Sequence, residues 1–371
     1  MNKLIFESFR CGPIYLQFQS GVNYIVGSNA TGKTTIFQLM RFALGLIKEM
    51  PYARFIGSKV ELEVLIGTKK VLFHRDLDSQ ALNVDFDDCQ FSFKCLSVEL
   101  NNFFREIFDF YYLYPGQQES AFEVIDFYFL SADVSVNRRK QWLALRTVLG
   151  VNVALIQSVG SDLAELKRDI SFDASYKKMV LEFSEVLGNK IDSKFKSEFL
   201  LSVESAKSEF FDQFLARERI YSNASEKLKK ISGESEFYEA EELQFVSRAV
   251  LAMASYCGIN SRYVSDIKEL LLDKTNALSY GEDVLLRFFV VCAVAFDPED
   301  RKWNSPGVIV NDCYFARSSD PGKLDAVSTL VRKAAGVDTG LQYIEFAYSD
   351  SHIRYGNIIN IDARALTLGV I

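Results

Sequence analysis

The chain has 371 residues, of which 49% are hydrophobic and 25% charged, and its formal net charge is −7. This balance is typical of a folded globular protein of one large or two ordinary domains, and the acidic charge does not indicate a general nucleic-acid binder. Six scattered cysteines and two histidines argue against a zinc site and favour reduced thiols in a cytoplasmic protein. No apolar run approaches the ~18 residues that a membrane helix needs.

The amino-terminal part alternates short β-type runs with one amphipathic helix. Apolar residues recur along one face of that helix, which Pro51 closes. The predicted elements of this part are strands at residues 4–6, 14–18, 22–26, 60–66 and 70–74 and a helix at residues 33–46.

The middle of the chain is predicted to be helical. Residues 116–297 contain no proline, and proline breaks helix interiors. Residues 163–245 combine many charges with helical spacing of apolar side chains, but Gly188 and Gly233 break the imperfect heptads. We therefore predict helical hairpins rather than a long coiled coil.

The carboxy-terminal part is predicted to run helix, strand, helix, strand. The apolar residues 284–296 indicate a buried helix, and the strands fall at residues 308–310 and 343–347. The predicted domains are an amino-terminal ATPase lobe at 1–150, an inserted helical lobe at 151–250 and a carboxy-terminal ATPase lobe at 251–371.

The strongest motif fits G-x-x-x-x-G-K-[ST] at every required position, between an apolar strand and an amphipathic helix. Its two glycines permit backbone conformations that turn N–H groups inward as a nest for phosphate oxygens. The lysine then reaches the β- and γ-phosphates, and the threonine hydroxyl can ligate Mg²⁺. The predicted ATP-binding residues are Gly27, Ser28, Asn29, Ala30, Thr31, Gly32, Lys33, Thr34 and Thr35.

The residues around this loop resemble the opening of SMC/RecF-type ATP-binding heads, which belong to the ABC ATPase class. The resemblance lies in residues 4–10 and 21–29, where Asn29 matches a family asparagine, while Ala30 replaces a glycine and Thr34 a serine. It implies an α/β P-loop NTPase fold of ABC/SMC-head type. That fold has a mixed sheet, an N-terminal antiparallel strand lobe and an inserted helical lobe, and the resemblance covers residues 1–150 and 245–360.

A second family element lies at residues 278–282, Leu-Ser-Tyr-Gly-Glu, which resembles the ABC signature L-S-G-G-E. In that family the serine and the glycine backbone cap the γ-phosphate bound by the partner subunit. The resemblance therefore implies that Ser279 and Gly281 contact ATP across a homodimer. The same residues also fit a plain helix start, because Ser279 is a good N-cap and Glu282 completes a capping box.

Residues 306–313 resemble a Walker B strand, which ends in an acid that holds magnesium through water. Two alignments are open. In one, Asp312 is the magnesium acid and Cys313 occupies the position of the catalytic base. In the other, Asn311 occupies the magnesium position and Asp312 is the base. One acid is missing in either case, which implies slow hydrolysis or a carboxylate supplied from elsewhere.

The resemblance implies three further elements. Residues 318–320 resemble a D-loop, and Ser349 or His352 occupies the place of the switch histidine. Gln117 or Gln118 is the candidate Q-loop glutamine and magnesium ligand, although a glutamine pair after Pro-Gly also fits a turn. The predicted catalytic residues are Lys33, Asp312 and Ser349, and the predicted metal ligands are Thr34, Asp312 and Gln117.

Two further patterns in the sequence have simpler explanations than the functions they resemble. Residues 189–192 match the NKxD motif of GTPases, but their flank has helical spacing and no convincing D-x-x-G precedes them. The basic clusters at residues 138–140 and 227–230 could contact DNA phosphates, although charge runs on helices are usually solvated faces.

The resemblance implies that two heads sandwich two ATP molecules, so that ATP-dependent dimerisation acts as a switch. One hypothesis is an ATPase that serves a DNA-repair or anti-phage defence complex. The alternative is a weakly hydrolysing regulatory subunit that controls a separate effector protein. No nuclease or toprim-like motif occurs in this sequence, so we expect a separate effector or nuclease subunit in either case, with DNA as a further candidate partner.

Overall fold

The computed structural model describes residues 2–28, 31–50, 58–110, 120–131, 138–151, 153–190, 196–259, 267–272, 280–295, 301, 303–312, 321–335, 340–347 and 356–361. The chain divides into two compact units, Met1–Val151 with Glu239–Ile371, and Asn152–Tyr238. Among the described residues, no helix has both the length and the apolar character needed to cross a membrane.

An antiparallel sheet of six strands forms one layer of the first unit. Its strands are β1 (Leu4–Cys11), β2 (Ile14–Gln17), β4 (Lys59–Ile66), β5 (Lys69–Asp76), β6 (Ala81–Phe86) and β7 (Cys89–Lys94), in the order β2-β1-β4-β5-β6-β7. Burial alternates strictly along β4, as expected for a sheet with one face on the core.

The hairpin of β6 and β7 was not predicted from the sequence. Its turn consists of Asp87 and Asp88, which both have positive φ angles of 49° and 61°. Such a pair forms the two-residue turn that matches strand twist, but an Asp-Asp pair signals it less clearly than Asn-Gly or Asp-Gly.

A second sheet contains five parallel strands. They are β3 (Gly21–Val26), β8 (Phe129–Ser131), β9 (Val308–Asp312), β10 (Gln342–Ala347) and β11 (Asn357–Asn360), in the order β11-β3-β10-β9-β8. Both β9 and β10 are buried at every position, as expected when both faces of a parallel sheet are covered. The parallel and antiparallel pairs thus belong to two separate sheets.

Helices cover the two faces of this parallel sheet. On one face lies α1 (Lys33–Ala43), whose Phe37 ring is 5.8 Å from Phe129 and 6.1 Å from Phe346. On the other face, Phe288 of α8 (Tyr280–Ala295) lies 6.2 Å from Tyr343. Residues 284–295 of α8 are all buried, which confirms the predicted buried helix over that span.

Helix α1 ends three residues earlier than predicted. Gly45 adopts a left-handed φ of 71°, and its N–H donates to the Phe42 carbonyl at 3.0 Å. The N–H of Leu46 donates to the Arg41 carbonyl, also at 3.0 Å. These two bonds form a Schellman motif, which satisfies the last helical carbonyls and stops the helix.

The remaining helices include two long ones. These are α5 (Val153–Lys190) and α6 (Lys196–Tyr256), with 38 and 61 residues. The predicted break at Gly233 was wrong, because this residue lies within α6, whereas Gly188 lies two residues before the end of α5. A helical glycine costs only ~1 kcal/mol relative to alanine, which long helices tolerate. The shorter helices are α2 (Val98–Phe108), α3 (Ser120–Phe127), α4 (Arg138–Val148), α7 (Ile267–Leu272) and α9 (Pro321–Ala334).

Candidate nucleotide-binding site

The phosphate-loop motif connects the end of β3 to the start of α1, and each of its two glycines is needed for a different reason. Gly32 has a left-handed φ of 86°, which side chains disfavour. A Cβ on Gly27 would lie 2.5 Å from Thr31 Oγ1 and 3.2 Å from the Ile361 carbonyl oxygen. The Thr31 hydroxyl itself donates to the Ser28 carbonyl at 2.9 Å. The loop therefore leaves no room for a side chain at Gly27 and requires a left-handed backbone at Gly32.

Lys33 is folded against this loop and is only 5% exposed. Its Nζ donates to the carbonyl oxygens of Gly27 and, at 2.8 Å, of Ser28. The ammonium group lies at the amino end of α1, where the helix dipole is also positive. Both charges favour binding of an anion at this place.

A carboxylate from β9 lies beside the first turn of α1. Thr34 Oγ1 donates to Asp312 Oδ1 at 3.3 Å, and Asp312 is only 2% exposed. In register, Asp312 is paired with Phe346, whose ring contacts Phe37 of α1. Asp312 therefore occupies the α1 face of the sheet. Hydroxyl and carboxylate oxygens are the hard ligands that Mg²⁺ prefers.

Asn311 lies on the opposite face of the same strand, because successive strand residues point to opposite faces. Its Nδ2 donates to the Tyr343 hydroxyl at 2.9 Å, and that hydroxyl donates to Glu345 Oε2 at 2.9 Å. All three side chains are buried. Of the residues 311 and 312, only Asp312 is directed toward Thr34, and Glu345 shares the face of Asn311.

Tyr343 of this network and its neighbour Tyr24, whose ring centres lie 6.5 Å apart, are both buried phenols that form hydrogen bonds. Burial raises the pKa of Tyr343 well above its usual value, and the Glu345 carboxylate raises it further. Burial is also the main reason why the pKa of Tyr24 is raised, and its hydroxyl forms a hydrogen bond with Ser328 of α9. Both phenols stay protonated at neutral pH. Sequence reasoning missed this network, although Glu345 stands between apolar residues of the predicted strand 343–347 and was a signal for it.

Some of the predicted site residues lie together in the structure, and others lie outside the described residues. Gly27, Ser28, Thr31, Gly32, Lys33, Thr34, Thr35 and Asp312 lie together at the carboxyl ends of β3 and β9. Gly281 lies in the first turn of α8, which begins directly after Ser279, and Glu282 in that turn pairs with Lys323 of α9 at 3.7 Å. The candidates that lie outside the described residues are Asn29, Ala30, Gln117, Gln118, Ser279, Cys313, residues 318–320, Ser349 and His352.

The parallel sheet, its phosphate loop and the acid at the end of β9 define an α/β protein of the P-loop NTPase class. The family model AAA_23, described as an AAA domain, matches residues 6–279, well over half of the chain. The protein therefore belongs to this AAA-domain family. None of the curated proteins matches its sequence.

Among the solved structures that share the fold are two Smc head domains. One is the Smc head domain of Pyrococcus furiosus with an extended coiled coil, bound to the C-terminal domain of ScpA. Its sequence is 14% identical to this chain, and the TM-score is 0.57. The match covers 98% of this chain and 94% of the P. furiosus chain. Another is the Smc head domain of Pyrococcus yayanosii with a coiled coil and joint, which is 12% identical with a TM-score of 0.55. That match covers 96% of this chain and 95% of the P. yayanosii chain. The chain thus has the fold of an SMC-like ATPase head, which confirms the predicted resemblance and fold class.

The network around Tyr343 predicts that an acid is not tolerated at position 311. Asn311→Asp would place a second carboxylate beside the Tyr343 hydroxyl, which already donates its proton to Glu345. We expect the free energy of unfolding at pH 7 to fall by about 2 kcal/mol. Burial and repulsion would raise the folded-state pKa of the new carboxyl, so the loss should shrink as pH falls from 7 toward 4.

Urea denaturation at several pH values measures this effect. Asn311→Leu, which has similar volume and no charge, is the matched control and should show a loss that does not vary with pH. An Asn311→Asp variant as stable as the wild type at pH 7 would contradict the assignment.

Proposed function

We propose that the protein binds ATP with Mg²⁺ on the loop between β3 and α1 and hydrolyses it slowly. The observation that carries the proposal is the 3.3 Å contact between Thr34 Oγ1 and Asp312 Oδ1, beside the buried Lys33 ammonium group. A cation-binding pair of oxygens next to an anion-binding loop is the arrangement that a magnesium–triphosphate complex requires.

The residues present fit both ligands. Loop N–H groups, the amino end of α1 and Lys33 would hold the phosphates, while Thr34 and Asp312 would hold the metal, Asp312 through water. Bound Mg²⁺ would neutralise charge on the phosphate oxygens. We assign Gln117 as a further metal ligand on the family resemblance alone.

Slow hydrolysis is supported by the distribution of acids around the site. The residue after Asp312 is Cys313, and a thiol is a poor substitute for the glutamate that polarises water in ABC ATPases. Asn311 and Glu345 engage Tyr343 on the other face of the sheet, away from Thr34. We propose Ser349 at the switch position, where its hydroxyl can orient a water but is a weak base.

Removal of the Lys33 charge should abolish nucleotide binding. We expect Lys33→Ala to bind ATP more than ~100-fold more weakly than the wild type in isothermal titration calorimetry with Mg²⁺. Asp312→Asn should lower the affinity in Mg²⁺ to the value that the wild type shows in EDTA. Lys59→Ala, at an exposed lysine of β4, is the control and should bind normally. Binding by Lys33→Ala at wild-type affinity would refute the site.

We further propose that ATP joins two copies of the chain. The support is the position of the signature residues, since α8 begins at Tyr280, directly after Ser279, and Gly281 lies in its first turn. The pair of Glu282 and Lys323 at 3.7 Å connects this turn to α9. The γ-phosphate would be neutralised by both copies, so that dimerisation requires ATP rather than ADP.

Ser279→Arg tests the dimer. The bulky cation should spare ATP binding, because Ser279 serves the site of the other copy, and should keep the protein monomeric with ATP and Mg²⁺ in size-exclusion chromatography with light scattering. Ser175→Arg, at an exposed serine of α5, should dimerise like the wild type. ATP-dependent dimerisation by Ser279→Arg would show that the signature assignment is wrong.

For the role of this switch we propose a cytoplasmic DNA-repair or anti-phage defence complex. The SMC-head fold supports it, and the P. furiosus head shows that such a fold can carry a separate protein subunit. The free thiols of Cys11, Cys89, Cys95, Cys257 and Cys292 support a reducing compartment. The alternative, a weakly hydrolysing regulatory subunit that controls an effector protein, is favoured by the lack of a second acid beside Asp312.

ATP hydrolysis measured with and without DNA separates these two roles. Stimulation by linear or gapped duplex DNA, lost in Lys33→Ala, is expected for the DNA-repair role. An unchanged slow rate, together with a protein partner that co-purifies with the wild type and leaves on ATP addition, is the result expected for the regulatory subunit.

A further inference from the structure

A buried arginine from the antiparallel sheet lies at the carboxyl end of α1. Arg75 of β5 is 0% exposed, and its guanidinium stacks on the Phe42 ring with 3.6 Å between Cζ and the ring centre. Its Nη1 donates to the carbonyls of Ile47 at 2.9 Å and Phe42 at 3.3 Å. Its Nη2 donates to the Lys48 carbonyl and its Nε to the Ser79 carbonyl at 3.0 Å.

This charge is compensated by carbonyl dipoles rather than by an acid. Among the residues that the structure describes, no carboxylate forms an ion pair with Arg75. Burial raises the pKa of the neighbouring Cys95 thiol, so that it stays neutral and is no counter-ion. Burial also lowers the pKa of Arg75, yet a guanidinium remains charged at neutral pH. The negative end of the α1 dipole is thus the favourable partner for the buried cation.

Arg41, another cation near this end of α1, is held differently. Arg41 of α1 pairs with Asp126 of α3 at 2.7 Å, and that carboxylate is 41% exposed. Arg75 instead comes from the antiparallel sheet and binds main-chain carbonyls at the end of α1 and in the turn that follows it. It therefore restrains the end of the helix relative to that sheet through three hydrogen bonds from one rigid planar group, while the fourth, to Ser79, stays within the turn between β5 and β6.

We propose that Arg75 is a positioning residue for the nucleotide site, an inference that rests on the proposed ATP binding. Helix α1 has 11 residues and spans about 15 Å. Because a helix is stiff over this length, fixing its carboxyl end fixes Lys33 and Thr34 at its amino end. These groups must be held in place before the phosphates arrive for binding to be tight.

Nucleotide affinities of full-length variants test this role. Arg75→Met removes the charge and all four hydrogen bonds, and we expect ATP and ADP to bind about fivefold to tenfold more weakly at 15 °C, below the unfolding transition. The two nucleotides should lose the same factor, because the loop grips the phosphates that they share. Arg75→Lys, which keeps the charge, should restore part of the affinity. If Arg75→Met does not fold, Arg75→Gln replaces it under the same criteria.

Val71→Ala is the matched control, because Val71 is a fully buried residue of the same strand. It should lower the melting temperature but leave both affinities unchanged. The inference is overturned if Arg75→Met binds ATP and ADP like the wild type, or if Val71→Ala weakens binding equally. A wild-type protein that binds neither nucleotide would instead refute the proposed function.

Discussion

The site depends on one geometric constraint, the parallel pairing of β3 and β9 on either side of β10. Parallel strands end at the same edge of a sheet, so the loop that follows β3 and the acid that closes β9 meet there. This pairing brings Thr34 to within 3.3 Å of Asp312 across 278 positions of sequence. The anion-binding end of α1 and a buried carboxylate are thereby held side by side, which is what a magnesium–nucleotide complex needs.

Helix α1 connects the two sheets. Phe37 packs near the rings of Phe129 and Phe346 of the parallel sheet, while Phe42 lies under the guanidinium of Arg75 from the antiparallel sheet. At each end of the helix lies a cation that donates hydrogen bonds to main-chain carbonyls. Lys33 binds the loop carbonyls before the helix, and Arg75 binds those at its end. The position of the loop therefore depends on the packing of the whole unit.

The far face of the parallel sheet explains an unusual sequence feature. Asn311 donates to Tyr343, which donates to Glu345, so the buried carboxylate already receives the phenolic proton. A second acid at position 311 would meet this carboxylate in a medium that screens charge poorly. The residue before Asp312 is thus explained by packing on the face opposite the nucleotide loop. Neither sequence neighbour of Asp312 is an acid, which supports the slow turnover that we propose.

By itself the sequence determined the nucleotide loop, the flanking strand and helix, and the family of the head, because these follow from local spacing and the conformational needs of two glycines. It also indicated the buried helix at 284–295. It left Asn311 and Asp312 as alternatives, and it did not indicate Arg75. Only the tertiary structure shows that Asp312 rather than Asn311 lies on the α1 face and that Arg75 reaches the end of α1, since the face of a strand that meets α1 depends on pairings far apart in the chain. The helix that runs through Gly233 shows the same limit, because the cooperativity of a long helix outweighs the propensity of one residue.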